Sequence, residues 1–306
     1  MAAAVLTLRQ IEVFRAVLQA GSMMGAARRL GIAQPTVTRV IRRMEDVVGV
    51  PLFDRAAGRL TPTAEARRVL EEVDRAFEGL SAALQRASRA ARPEQGHLQL
   101  GVSPSLGRVL VPRALAGLVA AHPGLSLRLD VLSVSQVVAY LRDGPGEAAV
   151  TLYPLLEAGI HSQHVGEGAM LALVPRGWDL ASRPALRPRD LEGRPLAMFE
   201  GYSVHGQALS AWLALDGASP GQRHQVRFAE SAAALAEAGL AIALVDAFSA
   251  MAVDERRVAI LPALGAGRFH VYLHRVLDRV QGRFLPPFAT LLSQAIAARA
   301  AGLPMP

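Results

Sequence analysis

Between Ser22 and Gly49, apolar positions recur every three to four residues around a central glycine, which predicts two short helices joined by a tight turn. The first helix covers Met23 to Leu30, and Gly31 suits the left-handed backbone of a helix end. The second begins near Gln34, with Pro35 in its first turn, where a missing N–H costs nothing. This is the helix-turn-helix pattern, in which the second helix enters the major groove of DNA.

At 100° per residue, the second helix divides into an apolar and a basic face. The apolar face carries Val37, Val40, Ile41, Met44 and Val48. An ordinary amphipathic surface helix would show the same division, but the arginines and the surrounding sequence favour DNA binding. The candidate DNA contacts in the two helices are Ser22, Met23, Gln34, Pro35, Thr36, Thr38, Arg39, Arg42 and Arg43.

Two short extended segments follow, over residues 50–55 and 56–63, around an Ala-Gly turn. Such a pair predicts a β-hairpin wing. Arg55 and Arg59 are placed to contact phosphates or the minor groove; the alternative is that both are solvated loop arginines.

A long helix is predicted from Thr63 to about Ala91, and a capping box at Thr7 and Gln10 predicts another helix at the start of the chain. Apolar residues of the long helix alternate in steps of three and four, a heptad seam that two copies of the chain would bury together. The alternative is packing on the helix's own domain. The seam consists of Leu70, Val73, Phe77, Leu80, Leu84 and Ala87.

From residue 96 onward, strand and helix patterns alternate, which predicts two α/β subdomains with mainly parallel sheets. Pro93 and Gly96 mark the boundary before them. Strands are predicted over 97–102, 126–132, 148–152, 170–174, 196–199, 226–228, 241–245 and 269–273, and helices over 106–121, 136–142, 205–214, 232–238 and 288–299.

Positive charge is concentrated at the N-terminus. Residues 1–92 carry 15 arginines and 9 acidic residues, a net charge of +6, whereas residues 93–306 carry +1. This distribution is expected of an N-terminal DNA-binding domain. The sequence has no cysteine, no uncharged run near the roughly 20 residues that cross a bilayer, and no signal-peptide pattern. We therefore expect a cytoplasmic protein without disulfides.

The N-terminal segment resembles that of LysR-type transcriptional regulators. One departure is Ala33, where the family usually has a serine that caps the recognition helix; its loss should cost about 1 kcal/mol. The resemblance rests on Arg9-Gln10-Ile11-Glu12-Val13-Phe14, Gly21-Ser22, Ala26-Ala27, Leu30, Gln34-Pro35-Thr36-Val37-Thr38-Arg39, Leu52-Phe53-Asp54-Arg55 and Arg59-Leu60-Thr61-Pro62-Thr63.

The resemblance implies an all-α winged helix-turn-helix domain over 1–62, a dimerising linker helix over 63–91, and an effector-binding domain over 92–306. The last would consist of two α/β subdomains, similar to periplasmic binding proteins. The implied partners are double-stranded DNA, a small-molecule effector and further copies of the chain, as a homodimer or homotetramer, with RNA polymerase as another candidate. The wing and residues 239–246 look most like the branch that answers to diaminopimelate and opine-type amino-acid derivatives.

Ligands of open α/β folds bind beyond the carboxyl ends of strands, near helix N-termini. Each polar residue at those places is also suited to cap a helix or a turn. Ser103 and Thr151 are the leading candidates, because LysR-type regulators use these strand ends for effectors. The full set of candidate effector contacts is Ser103, Ser105, Ser133, Ser135, Gln136, Thr151, Tyr153, Tyr202, Ser203, His205 and Ser231.

The sequence gives little support for catalysis. The pairs His161/His164 and His270/His274 lack a third ligand at a spacing typical of metal sites, so we expect neither a metal nor a cofactor. We find no Gly-rich phosphate loop, nucleophile elbow or paired-carboxylate motif. The prediction is a ligand-responsive DNA-binding transcriptional regulator and not an enzyme. The alternatives are a solute-binding protein with a basic N-terminal module and a sequence-nonspecific architectural DNA protein.

Overall fold

The computed structural model describes residues 6–56, 59–74, 76, 84 and 96–300, with only the backbone at 55, 56, 59, 299 and 300. The chain forms two compact units, Met1–Leu84 and Gln85–Pro306. The boundary predicted between residues 91 and 92 lies outside the described residues. Across the described ranges, none of the helices combines the length and the apolar character needed to span a bilayer.

The described part of the N-terminal unit begins with three helices, α1 (Leu8–Ala20), α2 (Met23–Leu30) and α3 (Gln34–Val48). Thr7 and Gln10 form the predicted capping box of α1, and the Ser22 hydroxyl accepts from the Gly25 N–H at 3.0 Å to cap α2. Gly31 has a φ of +66°, a conformation that L side chains rarely adopt. The tight turn between α2 and α3 therefore requires glycine at this position.

A carboxylate of α3 holds the wing in place. Glu45 Oε1 accepts hydrogen bonds from the backbone N–H groups of Leu52 (2.8 Å) and Phe53 (3.3 Å). The Phe53 ring contacts Phe14 of α1 edge-on, with 5.8 Å between ring centroids. The predicted hairpin follows as an antiparallel pair, β1 (Phe53–Ala56) and β2 (Arg59–Pro62). The core beneath it is made mainly of Val13, Phe14, Val17, Ala26, Val37, Ile41, Met44 and Leu52.

The long helix α4, described over 64–74, begins after Thr63, whose hydroxyl accepts from the Ala66 N–H at 3.1 Å. Ala66 is buried in the core of its own unit, and Leu70 packs against that core. Leu84, further along, is helical and 62% exposed. The start of the predicted seam therefore packs within the chain and its Leu84 position does not. Phe77, Leu80 and Ala87 lie outside the described residues.

One long strand, β6, connects both halves of the seven-stranded sheet in the C-terminal unit. Its first half pairs antiparallel with β11, from which the sheet continues through β5 and β3 to β4. Its second half pairs antiparallel with β9 and β10. The bounds are β3 (His97–Val102), β4 (Ser126–Val131), β5 (Ala148–Thr151), β6 (Ile160–Pro175), β9 (Ala243–Asp246), β10 (Val258–Pro262) and β11 (Arg268–Val276).

The prediction of mainly parallel sheets is wrong. Among the described strands, parallel ladders join only β3 to β4, β3 to β5, and β7 (Leu196–Phe199) to β8 (Arg223–Val226). The predicted strand over 170–174 is only the second half of β6. Its first half was missed because residues 161–164 and 167 are polar, and these side chains are exposed or half-buried.

Five helices longer than one turn, and one short turn of helix, cover the C-terminal sheet. The helix predicted over 106–121 is two helices, α5 and α6, separated at Arg108 and Val109. The strand predicted over 226–228 lies three residues earlier, as β8, and α9 accordingly starts at Ala229 rather than 232. The helices are α5 (Pro104–Gly107), α6 (Leu110–Ala121), α7 (Val137–Arg142), α8 (Val204–Ala214), α9 (Ala229–Glu237) and α10 (Leu285–Ala300).

At α3, the cap residue Ala33 has extended backbone but no side-chain oxygen to accept the first free N–H groups. We predict that Ala33→Ser stabilises the N-terminal unit by about 1 kcal/mol, and that the matched change Ser22→Ala destabilises it by about the same amount. For a unit of this size, 1 kcal/mol corresponds to a melting shift of about 4–8 °C.

Calorimetry on the full-length protein measures this shift. Both tryptophans, Trp178 and Trp212, lie in the C-terminal unit, so the N-terminal transition is the one that tryptophan fluorescence does not follow. An unshifted N-terminal transition in Ala33→Ser would contradict the prediction.

Candidate functional site

The outer face of α3 presents three arginines to solvent. Arg39, Arg42 and Arg43 are exposed, and none of their side chains makes a hydrogen bond or ion pair with another residue that the structure describes. By contrast, Arg9 on α1 pairs with Glu12 at 2.6 Å. The three arginines line a shallow concave surface, together with Gln34, Pro35, Thr38 and one acidic residue, Asp46. A concave surface with three arginines and one aspartate, on the second helix of a helix-turn-helix, is suited to the phosphates and base edges of a major groove.

The other predicted DNA contacts differ in how free their side chains are. Thr36 is half-buried, as is Met23, which packs against the core of the unit. Ser22 is exposed, but its hydroxyl caps α2. Arg55 and Arg59 lie in β1 and β2, and their side chains are outside the described set.

A cavity of about 310 Å³ lies in the C-terminal unit where five strands end. Its wall is formed by the segments that follow β3, β4, β5, β7 and β8, as expected for an α/β fold. Three of these segments lead directly into helices, so backbone N–H groups of helix first turns face the same space. The polar lining residues are Ser103, Ser105, Ser133, Ser135, Tyr153, Glu200, Tyr202, Ser203, His205, Arg227 and Glu230.

The serines of the cavity fall into two groups. Three hydroxyls are already hydrogen-bonded: Ser133 pairs with Gln136, Ser135 lies 3.2 Å from the Ser133 hydroxyl, and Ser203 accepts from the Gly206 N–H at 3.0 Å. Ser103 and Ser105, 8% and 4% exposed, make no side-chain hydrogen bond with any residue in the described part of the chain. Both residues line the cavity, so their hydroxyls are available to hydrogen-bond a ligand.

Three of the predicted effector contacts do not line the cavity. The side-chain oxygen of Gln136 accepts a hydrogen bond from the Ser133 backbone N–H at 2.9 Å. Ser231 is exposed in the first turn of α9. Thr151, one of the two leading candidates, is fully buried, with its hydroxyl 2.7 Å from the Tyr153 carbonyl oxygen and 2.8 Å from His274 Nε2. Its prediction as an effector contact is corrected, because its hydroxyl is already used inside the sheet.

Glu230 brings a carboxylate to the cavity wall. Its Oε1 atom is buried and has no hydrogen-bond partner among the residues that the structure describes. Desolvation by burial raises the pKa of Glu230 above its usual value. A cationic group of a ligand placed beside this carboxylate would favour its ionised form and satisfy the free oxygen.

His205 is held at the cavity by a buried partner. Its Nε2 atom lies 2.7 Å from Asp246 Oδ2, and its ring packs between Phe199 and Phe269. Burial acts to raise the pKa of Asp246, but hydrogen bonds from His205 and Ser249 outweigh burial and hold that pKa below its usual value. Asp246 is therefore an ionised buried group that orients His205.

Sequence reasoning missed Arg227, Glu230 and Glu200. Arg227 lies in the turn after β8, and Glu230 lies in the first turn of α9. The strand predicted over 226–228 included Arg227 and ended just before Glu230, so neither residue was considered. The hydrophobic signal of Val226 and Phe228 caused that error. Glu200 contacts Tyr202 next to it, and this hydrogen bond raises the pKa of the Tyr202 hydroxyl.

A separate cluster lies on the first half of β6. The expectation that no third ligand accompanies the histidine pairs is wrong: candidate ligand atoms of His164, Glu167 and His270 all lie within 4.8 Å of one another. The sequence did not show this, because His270 is brought to β6 by strand pairing over more than 100 residues.

Both units match the same family. "Bacterial regulatory helix-turn-helix protein, lysR family" matches residues 8–67, and "LysR substrate binding domain" matches residues 91–297. The transcriptional activator protein LysR of Escherichia coli K12 is 28% identical over 286 residues, covering 94% of this chain and 92% of that protein. The octopine catabolism/uptake operon regulatory protein OccR of Rhizobium meliloti is 29% identical over 246 residues, covering 80% and 82%. The crystal structure of full-length CbnR with its target DNA has a TM-score of 0.71 at 22% identity, covering 95% of this chain and 100% of that one.

The buried contact of His274 predicts a pH dependence of stability. Burial lowers the pKa of His274 to about 4, below its ordinary value of 6.5. The folded state therefore binds fewer protons than the unfolded state between these values, and stability is lost as pH falls. We predict that from pH 7 to pH 5 the wild type loses about 2 kcal/mol more unfolding free energy than His274→Gln.

Urea denaturation followed by tryptophan fluorescence measures the C-terminal unit alone, since both tryptophans lie there. The control, His161→Gln, changes an exposed histidine of β6 and should keep the wild-type loss. Equal losses in wild type and His274→Gln would show that His274 is not the group responsible.

Proposed function

Because the chain belongs to the LysR family of bacterial helix-turn-helix regulators, we propose that α3 reads its operator and that the strand-end cavity binds a zwitterionic amino-acid derivative. The protein is a DNA-binding transcriptional regulator, and regulators of this family are oligomers that respond to small molecules. We further infer that it works in the cytoplasm, where bacterial DNA is found.

The proposed operator contacts are the exposed residues of α3. Arg39, Arg42 and Arg43 have no ion pair within the described residues, so binding a phosphate or a guanine would break no existing contact. The side chains of Gln34 and Pro35 are exposed at the start of the same helix, where recognition helices meet base edges. Arg55 and Arg59, placed in the wing strands, are proposed as phosphate or minor-groove contacts.

The effector proposal rests on one observation. The cavity is lined both by hydroxyls and by a carboxylate oxygen that have no hydrogen-bond partner among the described residues. Ser103 and Ser105 offer hydroxyl donors, and Arg227, in the lining segment after β8, adds a positive charge. These groups suit a ligand carboxylate. Glu230, with its buried unpartnered oxygen, suits a ligand ammonium or guanidinium. A molecule that carries both charges satisfies both sides of the cavity.

The relatives agree with this chemistry. One relative is named for octopine catabolism and uptake, and octopine is an amino-acid derivative with carboxylate and guanidinium groups. We propose that the ligand is bound without being chemically changed. Neither Ser103 nor Ser105 is hydrogen-bonded to a histidine or carboxylate among the described residues, and an activated serine nucleophile needs such a partner.

Assembly through α4 is proposed from its exposed apolar position. Leu84 is 62% exposed, although it continues the apolar seam whose Leu70 position packs in the N-terminal unit. A second copy of the helix would cover Leu84 in a coiled coil. A homodimer formed in this way would present two copies of α3 to two operator half-sites.

We predict that Arg39→Ala weakens the binding of the full-length protein to operator DNA by about 1–3 kcal/mol, or roughly 5- to 150-fold in Kd. Fluorescence anisotropy measures this on DNA from the upstream region of its own gene, over a series of salt concentrations. A base contact would lower the preference for operator over unrelated DNA, whereas a phosphate contact would reduce the salt slope by about one. The control Arg256→Ala removes an arginine of the other unit that is paired with Asp254. Unchanged affinity in a folded Arg39→Ala would remove this residue from the interface.

For effector binding, we predict that a zwitterionic ligand at a hundred times its Kd adds about 2.7 kcal/mol to folding stability, a melting shift of several degrees. The probes are octopine, diaminopimelate and their parent amino acids in a thermal shift assay. Ser103→Ala combined with Ser105→Ala should abolish the shift. Glu230→Gln should abolish the melting shift produced by ligands that carry an ammonium or guanidinium group in addition to their carboxylate.

The matched control is Ser231→Ala, an exposed serine outside the cavity wall, which should respond as wild type does. If the double serine variant keeps the wild-type shift, the effector binds elsewhere.

A further inference from the structure

We propose that His164, Glu167 and His270 form a binding site for one divalent transition-metal ion, with Zn²⁺ as the best fit. The site lies on the paired strands β6 and β11 and is separate from the strand-end cavity, none of whose lining residues it uses.

A β-bulge places the three side chains together. Glu167 lies directly opposite His270, and Tyr272, two residues further along β11, pairs with His164 instead of with Val165. Side chains three apart in a regular strand point to opposite faces, so His164 and Glu167 would not meet. The extra residue, Val165, reverses this alternation and puts His164 on the exposed face with Glu167 and His270.

The bulge is fixed by packing from behind. Val165 is 8% exposed and belongs to the main core of the C-terminal unit. Gly166, the next residue, has a φ of +150°, and a Cβ atom there would lie 2.7 Å from the side chain of Ile296 in α10. The tight approach of α10 requires glycine at this position, so the geometry that turns His164 outward is part of the core.

Two of the three distances between ligand atoms match the edges of a tetrahedral metal centre, and the third pair, His164 and Glu167, lies within 4.8 Å. His270 Nδ1 lies 3.3 Å from His164 Nε2 and 3.4 Å from Glu167 Oε2. With metal–ligand bonds of about 2.0–2.1 Å, the edges of a tetrahedron are about 3.3–3.4 Å long. Two imidazole nitrogens and one carboxylate oxygen are typical of a three-residue zinc site, whose fourth position is taken by water. Nitrogen-rich sites of this kind disfavour Mg²⁺ and Ca²⁺.

Neighbouring groups orient the ligands. Arg268 Nε donates to Glu167 Oε1 at 2.7 Å, which fixes the carboxylate and leaves Oε2 facing the histidines. The Tyr272 ring contacts the His164 ring edge-on, with 5.5 Å between centroids. Such outer contacts set the direction of metal ligands. The Arg268 charge opposes a cation, so the carboxylate is the ligand that offsets it.

The test uses tag-free full-length protein treated with EDTA and exchanged into chelator-free buffer. Zn²⁺ uptake is measured by titration calorimetry, and the site geometry by the visible absorption of bound Co²⁺, which is intense only in a tetrahedral site. We expect one equivalent per chain, and an affinity at least about tenfold weaker in His164→Ala/His270→Ala, since even outer-contact changes cost 10- to 100-fold.

The matched control is His161→Ala, an exposed histidine on the same strand that is not in the cluster, which should bind Zn²⁺ as wild type does. Circular dichroism checks that every variant is folded. The proposal is overturned if wild type takes up no Zn²⁺, if the double variant keeps the wild-type affinity, or if His161→Ala loses as much affinity as the double variant.

Discussion

The pairing of β6 with strands on both sides of the sheet is the constraint on which the C-terminal unit depends. One half of this strand is hydrogen-bonded to β11 and the other half to β9 and β10. No other described strand pairs with both groups. β7 and β8 form a separate two-stranded sheet, which the bridge between Leu196 and Ile242 attaches just before β9. Because β6 joins β9 to the group that contains β3, β4 and β5, the ends of all five strands meet at one cavity.

The sequence predicted the N-terminal unit well because its determinants are local. Thr7 and Gln10 are three residues apart, and Ser22 caps the helix that follows it directly. Gly31 ends that helix in the left-handed conformation that the tight turn requires. The wing follows the same rule, since its two paired strands are only two residues apart in sequence. Local rules failed at the start of β6, because its polar residues match the alternation of neither a buried strand nor a helix.

The cavity shows where local reasoning ends. Strand ends could be placed from sequence, so Ser103 and Ser105 were found. That Ser133 is a cap and Ser103 is not depends on the three-dimensional arrangement of neighbouring groups. Thr151 was misassigned because its partner His274 is 123 residues away, and only β-sheet pairing brings them together. The histidine cluster was missed for the same reason, since a bulge in one strand decides which face each side chain occupies.

The three unpaired arginines of α3 belong to a chain whose 33 basic residues are all arginine. A guanidinium stays protonated at every pH at which proteins fold, and it is not a target of the acetylation that neutralises lysine. The positive charge offered to DNA is therefore constant across cellular pH and acetylation state. Under the proposed function, operator affinity is therefore controlled through the position of α3, which effector binding and assembly would change.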